Sequence, residues 1–235
     1  MQVIFNPTKA FHLACFLAGI PIRVGYRRKL GILLTVSLPD TKGQRTRHEA
    51  DYNLELVELL GIRVEEPLLR LPERKETEEP ARNLLQTHGL LCAGGPIAIH
   101  PWTSNPAKSW PLESFWKLAE QLQPLGRPVV VIGEGGTQCS IPAVCDLTDQ
   151  IPLGLLPAFL RNCALLVSND SGPAHVAAAV GTPVIVIAPG THAKLLERWR
   201  PLGKGCTILL DPDVAGAAAA VRQQLNNVQV RIPPV

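Results

Sequence analysis

The chain has 235 residues, 46% hydrophobic and 18% charged, with a formal net charge of +3. That length and balance suit a globular protein of one large or two small domains with a real core. They exclude the strongly basic surface of a nucleic-acid-coating protein, and the 5% of aromatic residues leaves little for base stacking. The 22 prolines point to many short connections.

In chain order, residues 2–6 (QVIFN) read as a short strand and residues 8–19 as a helix closed by Gly19. Residues 9–22 (KAFHLACFLAGIPI) imitate a secretion signal, with a lysine before an apolar run. His12, the lack of a small-residue cleavage site and a length too short for a bilayer favour a buried helix feeding a strand at 22–26. Residues 48–62 read as an amphipathic helix with Leu54, Val57 and Leu60 on one stripe and Gly61 at its stop. Residues 64–80, charged and broken by prolines, read as a linker and the start of a connecting helix.

A regular rhythm follows. Strands are predicted at 96–101, 164–170, 183–190 and 206–210, and a strand running into a glycine-rich loop at 128–136. Helices are predicted at 111–126, with Pro111 in the first turn and Gly126 at the stop, and at 153–163, 172–181 and 212–227. Continuous apolar strands alternating with helices imply an α/β fold, a parallel sheet covered on both faces. The expected domains are 1–74 and 75–235. Residues 1–63 offer about two strands and two helices, fewer than a doubly wound half-domain contains, so they read as the back part of one whose front is absent. The six cysteines (15, 92, 139, 145, 163 and 206) form no C-x-x-C pair and are expected to be buried free thiols in a reducing compartment.

Ligands of open α/β sheets sit at the carboxyl ends of the strands, and three connections fall there. In HPWTSNPAKSWP (100–111), Thr103 and Ser104 offer hydroxyls and Lys108 a positive charge, a set suited to a phosphate. The same residues also suit an ordinary loop with turn-capping hydroxyls and a solvated lysine. IGEGGTQ (132–138) is a glycine loop without the dinucleotide spacing; Glu134 is placed to accept a ribose hydroxyl or to be a surface carboxylate. In SNDSGPAHVAAAVGTPVIVI (168–187), Asp170 and Ser171 stand at a helix entrance, Gly172 admits close approach, and His175 comes one turn later. A simple N-cap accounts for one of those polar residues but not the whole cluster. The small residues behind them bring a helix N-terminus against an anion, with Asp170 and His175 orienting the group attached to it.

The two motifs HPWTSNPAKSWP and LLVSNDSGPAHVAAAVGTPVIVI, about sixty residues apart, resemble the C-terminal half of the family 9 glycosyltransferases, the lipopolysaccharide heptosyltransferase-like enzymes. The resemblance covers residues 75–235, and HEADYNLELVELLGI and LAGIPIRVGY look like the later part of the family's N-terminal domain. It implies a GT-B architecture: a complete C-terminal Rossmann-like donor domain preceded by a partial N-terminal, acceptor-side one. It implies inverting, metal-independent transfer of a heptose-like sugar from a nucleoside diphosphate, with ADP-heptose the family's frequent donor, to a lipopolysaccharide-type or other glycan acceptor. No cofactor, metal or nucleic acid is implied, and the setting is cytoplasmic, at the inner membrane face. The family's diphosphate-binding residues fall on Thr103, Ser104, Lys108, Ser171, Gly172 and His175, and its sugar-contacting aspartate on Asp170. The nucleoside-side positions fall on Glu134, Ile151 and Leu153.

Two departures stand out. Trp102 occupies a position where many members have glycine, and the family's opening strand and Gly-Asp loop, which carries the expected general base, has no match after Met1. The general base is therefore expected upstream of Met1. A cluster of Arg23, Arg27, Arg28, Lys29, Lys42, Arg45 and Arg47 reads either as an attractor for an acidic acceptor at a membrane or as a solvated basic loop. A non-catalytic nucleotide-sugar binding module and a GT-B-shaped nucleotide-sugar epimerase are the alternatives to a transferase.

Overall fold

The computed structural model describes residues 1–6, 8–44, 47–64, 69–135 and 138–229. The chain divides into two compact units: residues 1–67 with 194–200, and residues 68–193 with 201–235. This division falls seven residues before the expected 74/75 and adds a returning segment to the first unit.

The first unit contains β1 (Gln2–Ile4), α1 (Lys9–Leu17), β2 (Arg23–Arg27), β3 (Val36–Pro39) and α2 (Glu49–Glu58). The strands form a parallel sheet in the order β1-β2-β3. Thr8 caps α1, its hydroxyl accepting from Phe11 N at 3.1 Å, and Gly19 (φ 65°) follows its end. Val24, Tyr26, Tyr52 and Leu56 make the core, with the two tyrosine rings edge to face at 6.3 Å. The buried stripe of α2 is thus Tyr52 and Leu56, one turn apart, and the expected Leu54, Val57 and Leu60 lie only half-buried beside it. Sequence reading missed β3, a half-exposed strand without an apolar run.

The second unit contains α3 (Lys75–Thr87), β4 (Ile97–His100), α4 (Leu112–Leu122), β5 (Val129–Val131), β6 (Val144–Asp146), α5 (Leu156–Arg161), β7 (Leu165–Asn169), α6 (Gly172–Val180) and β8 (Val184–Ala188). It closes with α7 (Ala193–Trp199), most of which belongs with the first unit, then β9 (Cys206–Leu210) and α8 (Val214–Gln229). Its six strands are all parallel, in the order β6-β5-β4-β7-β8-β9. β4, β5, β7 and β8 are buried along their whole length, which is why they read as near-continuous apolar runs. Phe115, Leu118, Ala119 and Leu122 of α4 and Ala217, Ala218, Val221 and Leu225 of α8 pack on Ile97, Ile99, Val131 and Val167. α6 packs on β7 and β8 and against α5, which in turn meets α3.

Two further elements, β6 of this unit and α7 of the first, were not expected from the sequence. β6 is a three-residue, half-buried edge strand, and α7 buries only Leu196. The expected helix at 111–126 ends as α4 at Leu122 and continues as a 3-10 turn to Gly126 (φ 70°). Among the described residues no cysteine is in a disulfide, as expected, but only Cys15 and Cys163 are buried; Cys92, Cys139, Cys145 and Cys206 are half-buried. Burial pushes the Cys163 thiol well above its ordinary value, so it is an inert packing group. Among the described residues no helix is long and apolar enough to cross a membrane.

Candidate functional site

Strand β4 is the first of its sheet, and the chain runs outward from it in both directions, so the reversal point lies between β4 and β7. In such sheets the crevice outside the carboxyl ends at that point is where ligands bind. His100 pairs in register with Ser168 at this edge. The two connections that leave it, residues 101–111 and 170–171, carry most of the predicted site.

The first connection is clamped onto β7. Asn169, fully buried, accepts from Trp110 N at 2.9 Å through Oδ1 and donates through Nδ2 to Pro101 O. Within it, Asn105 starts a 3-10 turn (Pro106–Lys108) by accepting from Ala107 N at 3.1 Å. That turn delivers Lys108 across 62 residues of sequence to Asp170, with Nζ to Oδ2 at 2.6 Å. The carboxylate is 5% exposed and the lysine 22%, so the pair sits at a surface opening with its acid inside and its base outside. Thr103 is half-buried, its Oγ1 accepting from Asn105 N at 3.4 Å, and Ser104 is exposed on the same loop.

The second connection enters α6. Ser171 holds the N-cap position but makes no side-chain cap bond. Its Oγ instead lies 2.9 Å from Ser168 Oγ and 3.2 Å from His100 Nδ1. Gly172 is exposed, with no heavy atom within 4 Å of the place where a Cβ would stand. The start of α6, with its partial positive charge, is therefore sterically open. His175 is half-buried one turn in. Burial pushes His100 down to about 4, which keeps its imidazole neutral near pH 7.

The glycine loop after β5 packs against the first connection. Gly133 (φ 152°) backs onto the Trp102 ring, where a Cβ would come within 2.3 Å of the indole. Trp102 also meets His100 and Trp116 edge to face at 6.1 and 6.4 Å. Asp149 ties the loop down: its Oδ1 accepts from Gly135 N at 2.7 Å and its own N donates to Gly133 O at 2.8 Å. Glu134 is exposed at the tip, Ile151 is half-buried and Leu153 is 80% exposed. Among the described residues the ion pair brings Lys108 to Asp170, and no hydrogen bond joins Glu134 to either. Gly136 and Thr137 of this loop lie outside the described residues.

Sequence reasoning missed His100, Asn169 and Asp149. His100 and Asn169 end apolar strands, which is the signal that was available. Their roles depend on partners at least 59 residues away, which no local pattern encodes.

The basic cluster of the first unit differs from the expected open patch. Arg28 pairs with Asp40 at 3.1 Å, Arg47 with Glu55, and Lys42, buried, with Glu49. Arg23 is spent on the Leu33 carbonyl and Arg27 on the Ser37 hydroxyl, while Arg45 lies outside the described residues. A cavity of about 430 Å³ in this unit, lined by Leu38, Pro39, Thr41, Glu55, Glu58 and Leu59, contains none of the sequence-predicted site residues.

Comparison with known proteins assigns the family. The family described as glycosyltransferase family 9 (heptosyltransferase) matches residues 3–227. Lipopolysaccharide heptosyltransferase 2 of Escherichia coli K12 is 29% identical over 195 residues, covering 74% of this chain and 55% of that protein. Lipopolysaccharide heptosyltransferase 3 of Escherichia coli is 28% identical over 116 residues, 45% of this chain and 33% of that protein. The chain thus spans between a third and about half the length of these curated relatives. Among solved structures, a family 9 glycosyltransferase from Veillonella parvula superposes with a TM-score of 0.79 at 22% identity, covering 96% of this chain and 73% of that one. The Escherichia coli heptosyltransferase II structure gives 0.75 at 21%, covering 97% and 76%. The α/β units with parallel sheets share the GT-B type fold of these structures, and the chain belongs to glycosyltransferase family 9, the heptosyltransferase family.

Proposed function

We propose that this protein serves lipopolysaccharide assembly by transferring a heptose-like sugar from a nucleoside diphosphate donor to a glycan acceptor, with inversion at the anomeric carbon. The observation that carries the reading is the Lys108–Asp170 pair beside an α6 start that its own N-cap serine leaves uncapped. A lysine and a helix N-terminus facing one opening hold two negative phosphates. The relatives, lipopolysaccharide heptosyltransferases and an ADP-heptose heptosyltransferase, make ADP-heptose the first donor to test.

In this reaction an acceptor hydroxyl attacks the anomeric carbon while an acidic side chain takes its proton. The C–O bond to the diphosphate breaks, and the leaving group gains negative charge as it departs. Lys108, the hydroxyls of Thr103 and Ser104, and the α6 entrance at Ser171, Gly172 and His175 hold that charge. Asp170 orients the sugar and keeps the Lys108 ammonium in place. Glu134, Ile151 and Leu153 face the nucleoside. The reading needs no cofactor or divalent ion, because lysine and helix end supply the positive field. Acceptor recognition takes place in the cytoplasm at the membrane surface.

The test is release of nucleoside diphosphate from donor, followed with and without a heptose-accepting lipopolysaccharide core. Transfer predicts acceptor-dependent release, a product anomer opposite to the donor, and activity that survives a chelator. Binding without release would make the protein a nucleotide-sugar binding module. Interconversion of the free donor without acceptor would make it an epimerase.

A further inference from the structure

The donor-site reading leaves one buried group at its centre without a role. His100 is 7% exposed, and its Nδ1 lies 3.2 Å from Ser171 Oγ and 3.3 Å from Ser168 Oγ. The two hydroxyls are 2.9 Å apart, and Ser168, fully buried, donates to Asn169 O at 2.8 Å. The imidazole is held from its other side by the Trp102 ring. Ser171 stands at the N-cap of the nine-residue α6, where a serine hydroxyl ordinarily accepts from a first-turn amide. It is drawn inward to His100 and Ser168 instead.

Hydrogen accounting shows what the arrangement does. Each serine hydroxyl has one proton to give, and a neutral imidazole Nδ1 is either donor or acceptor. With Ser168 committed to the Asn169 carbonyl, a bare Nδ1 takes the Ser171 proton and nothing is left to point outward. An Nδ1 that carries hydrogen donates to Ser171 Oγ, and the Ser171 proton then has only Ser168 Oγ, 2.9 Å away, as its inner partner, which it can exchange for an oxygen outside. An anionic phosphate oxygen at the α6 start selects that second state. Because burial keeps His100 neutral, the choice is between tautomers and not between charges.

We propose that His100 is a positioning residue for the donor diphosphate: its Nδ1 holds the Ser171 hydroxyl off the α6 amides and turns it towards a phosphate oxygen, leaving the first turn of the helix open to the anion. This rests on the donor-site reading above. His100 itself touches no substrate; it acts through Ser171.

The experiment is a titration of ADP into the wild type and the His100→Ala, His100→Asn, Ser171→Ala, His100→Ala/Ser171→Ala and Lys108→Ala variants. His100→Ala is expected to weaken ADP by about five- to tenfold, the scale of one well-placed hydrogen bond. His100→Asn, whose side-chain amide stands near the Nδ1 position, is expected to recover binding to within about threefold of wild type. In the Ser171→Ala background, removing His100 is expected to cost less than about twofold, because no hydroxyl remains to be aimed. A wild type that binds ADP and is weakened by Lys108→Ala, with His100→Ala binding normally or its loss multiplying with that of Ser171→Ala, overturns the role of His100 and leaves the donor site standing. A wild type that binds no ADP, or a Lys108→Ala variant that binds equally well, overturns the donor reading itself. Should His100→Ala fail to fold, ¹⁵N spectra of the wild-type imidazole decide the matter. The proposal expects a protonated Nδ1 in the ADP complex whose resonance moves on binding, and an Nδ1 unaffected by ADP contradicts it.

Discussion

Lys108 and Asp170 are best understood together, because each sets the cost of removing the other. Lys108→Ala takes a cation from the phosphate site and strands a carboxylate that is only 5% exposed. We expect ADP affinity to fall at least tenfold, about 1.4 kcal/mol, with a lower melting temperature. Adding Asp170→Asn should restore much of the melting temperature, since no buried charge is left unpaired, but none of the affinity. Thermal melts and calorimetry on the two variants separate these effects. His100 makes a pH prediction. Its folded-state value of about 4 lies below the ordinary 6.5, so between these limits the unfolded chain binds more protons than the folded one. Stability from this group is complete above pH 6.5 and is lost as the pH falls towards 4, by on the order of 3 kcal/mol. Urea unfolding at pH 7 and pH 4.5 should show that loss, and His100→Asn should reduce it; an equal loss in the variant contradicts the assignment. Sequence alone brought Lys108, Asp170 and Ser171 to one edge, because strand–loop–helix order fixes which connections meet there. It could not show that the Ser171 hydroxyl turns inward, since that depends on a histidine 71 residues away.

The elements divide by how deeply they are buried. β4, β5, β7 and β8 were legible because strands covered on both faces carry near-continuous apolar runs, interrupted here only at the site ends by His100, Ser168 and Asn169. β3 and β6 end their sheets, are half-buried, and carry no such run, so their pairing is fixed by tertiary contact and not by pattern. Two predictions belong at this scale. Gly133→Ala should destabilise the second unit by about 1–3 kcal/mol, because the added methyl meets the Trp102 ring and φ is 152°. The cost should shrink, without vanishing, in a Trp102→Ala background, where only the backbone strain remains; chemical denaturation of the four proteins gives the comparison. Phe115→Ala should cost about 3–5 kcal/mol, since Phe115 is fully buried and meets Trp110 edge to face at 4.9 Å. Because Trp110 N is tied to Asn169, that loss should also loosen the loop carrying Lys108. Denaturant midpoints test the first effect, and amide exchange at residues 103–109 the second.

At the scale of the molecule, strand order does the organising. The order β6-β5-β4-β7-β8-β9 puts the two polar connections side by side, so Lys108 and Asp170 meet at one edge although 62 residues separate them. The first unit makes a smaller parallel sheet whose basic residues are largely tied to carboxylates and carbonyls of that same unit. Charge clusters counted along a sequence overstate the field at a surface for this reason: the partners lie elsewhere in the chain. The most direct test of the account is a calorimetric titration of the protein with ADP, UDP and GDP, repeated on Lys108→Ala. The account predicts selective binding of one nucleoside diphosphate at a single site, weakened at least tenfold by the substitution, about 1.4 kcal/mol. A folded protein that binds none of the three, or a Lys108→Ala variant that binds as tightly as the wild type, contradicts it.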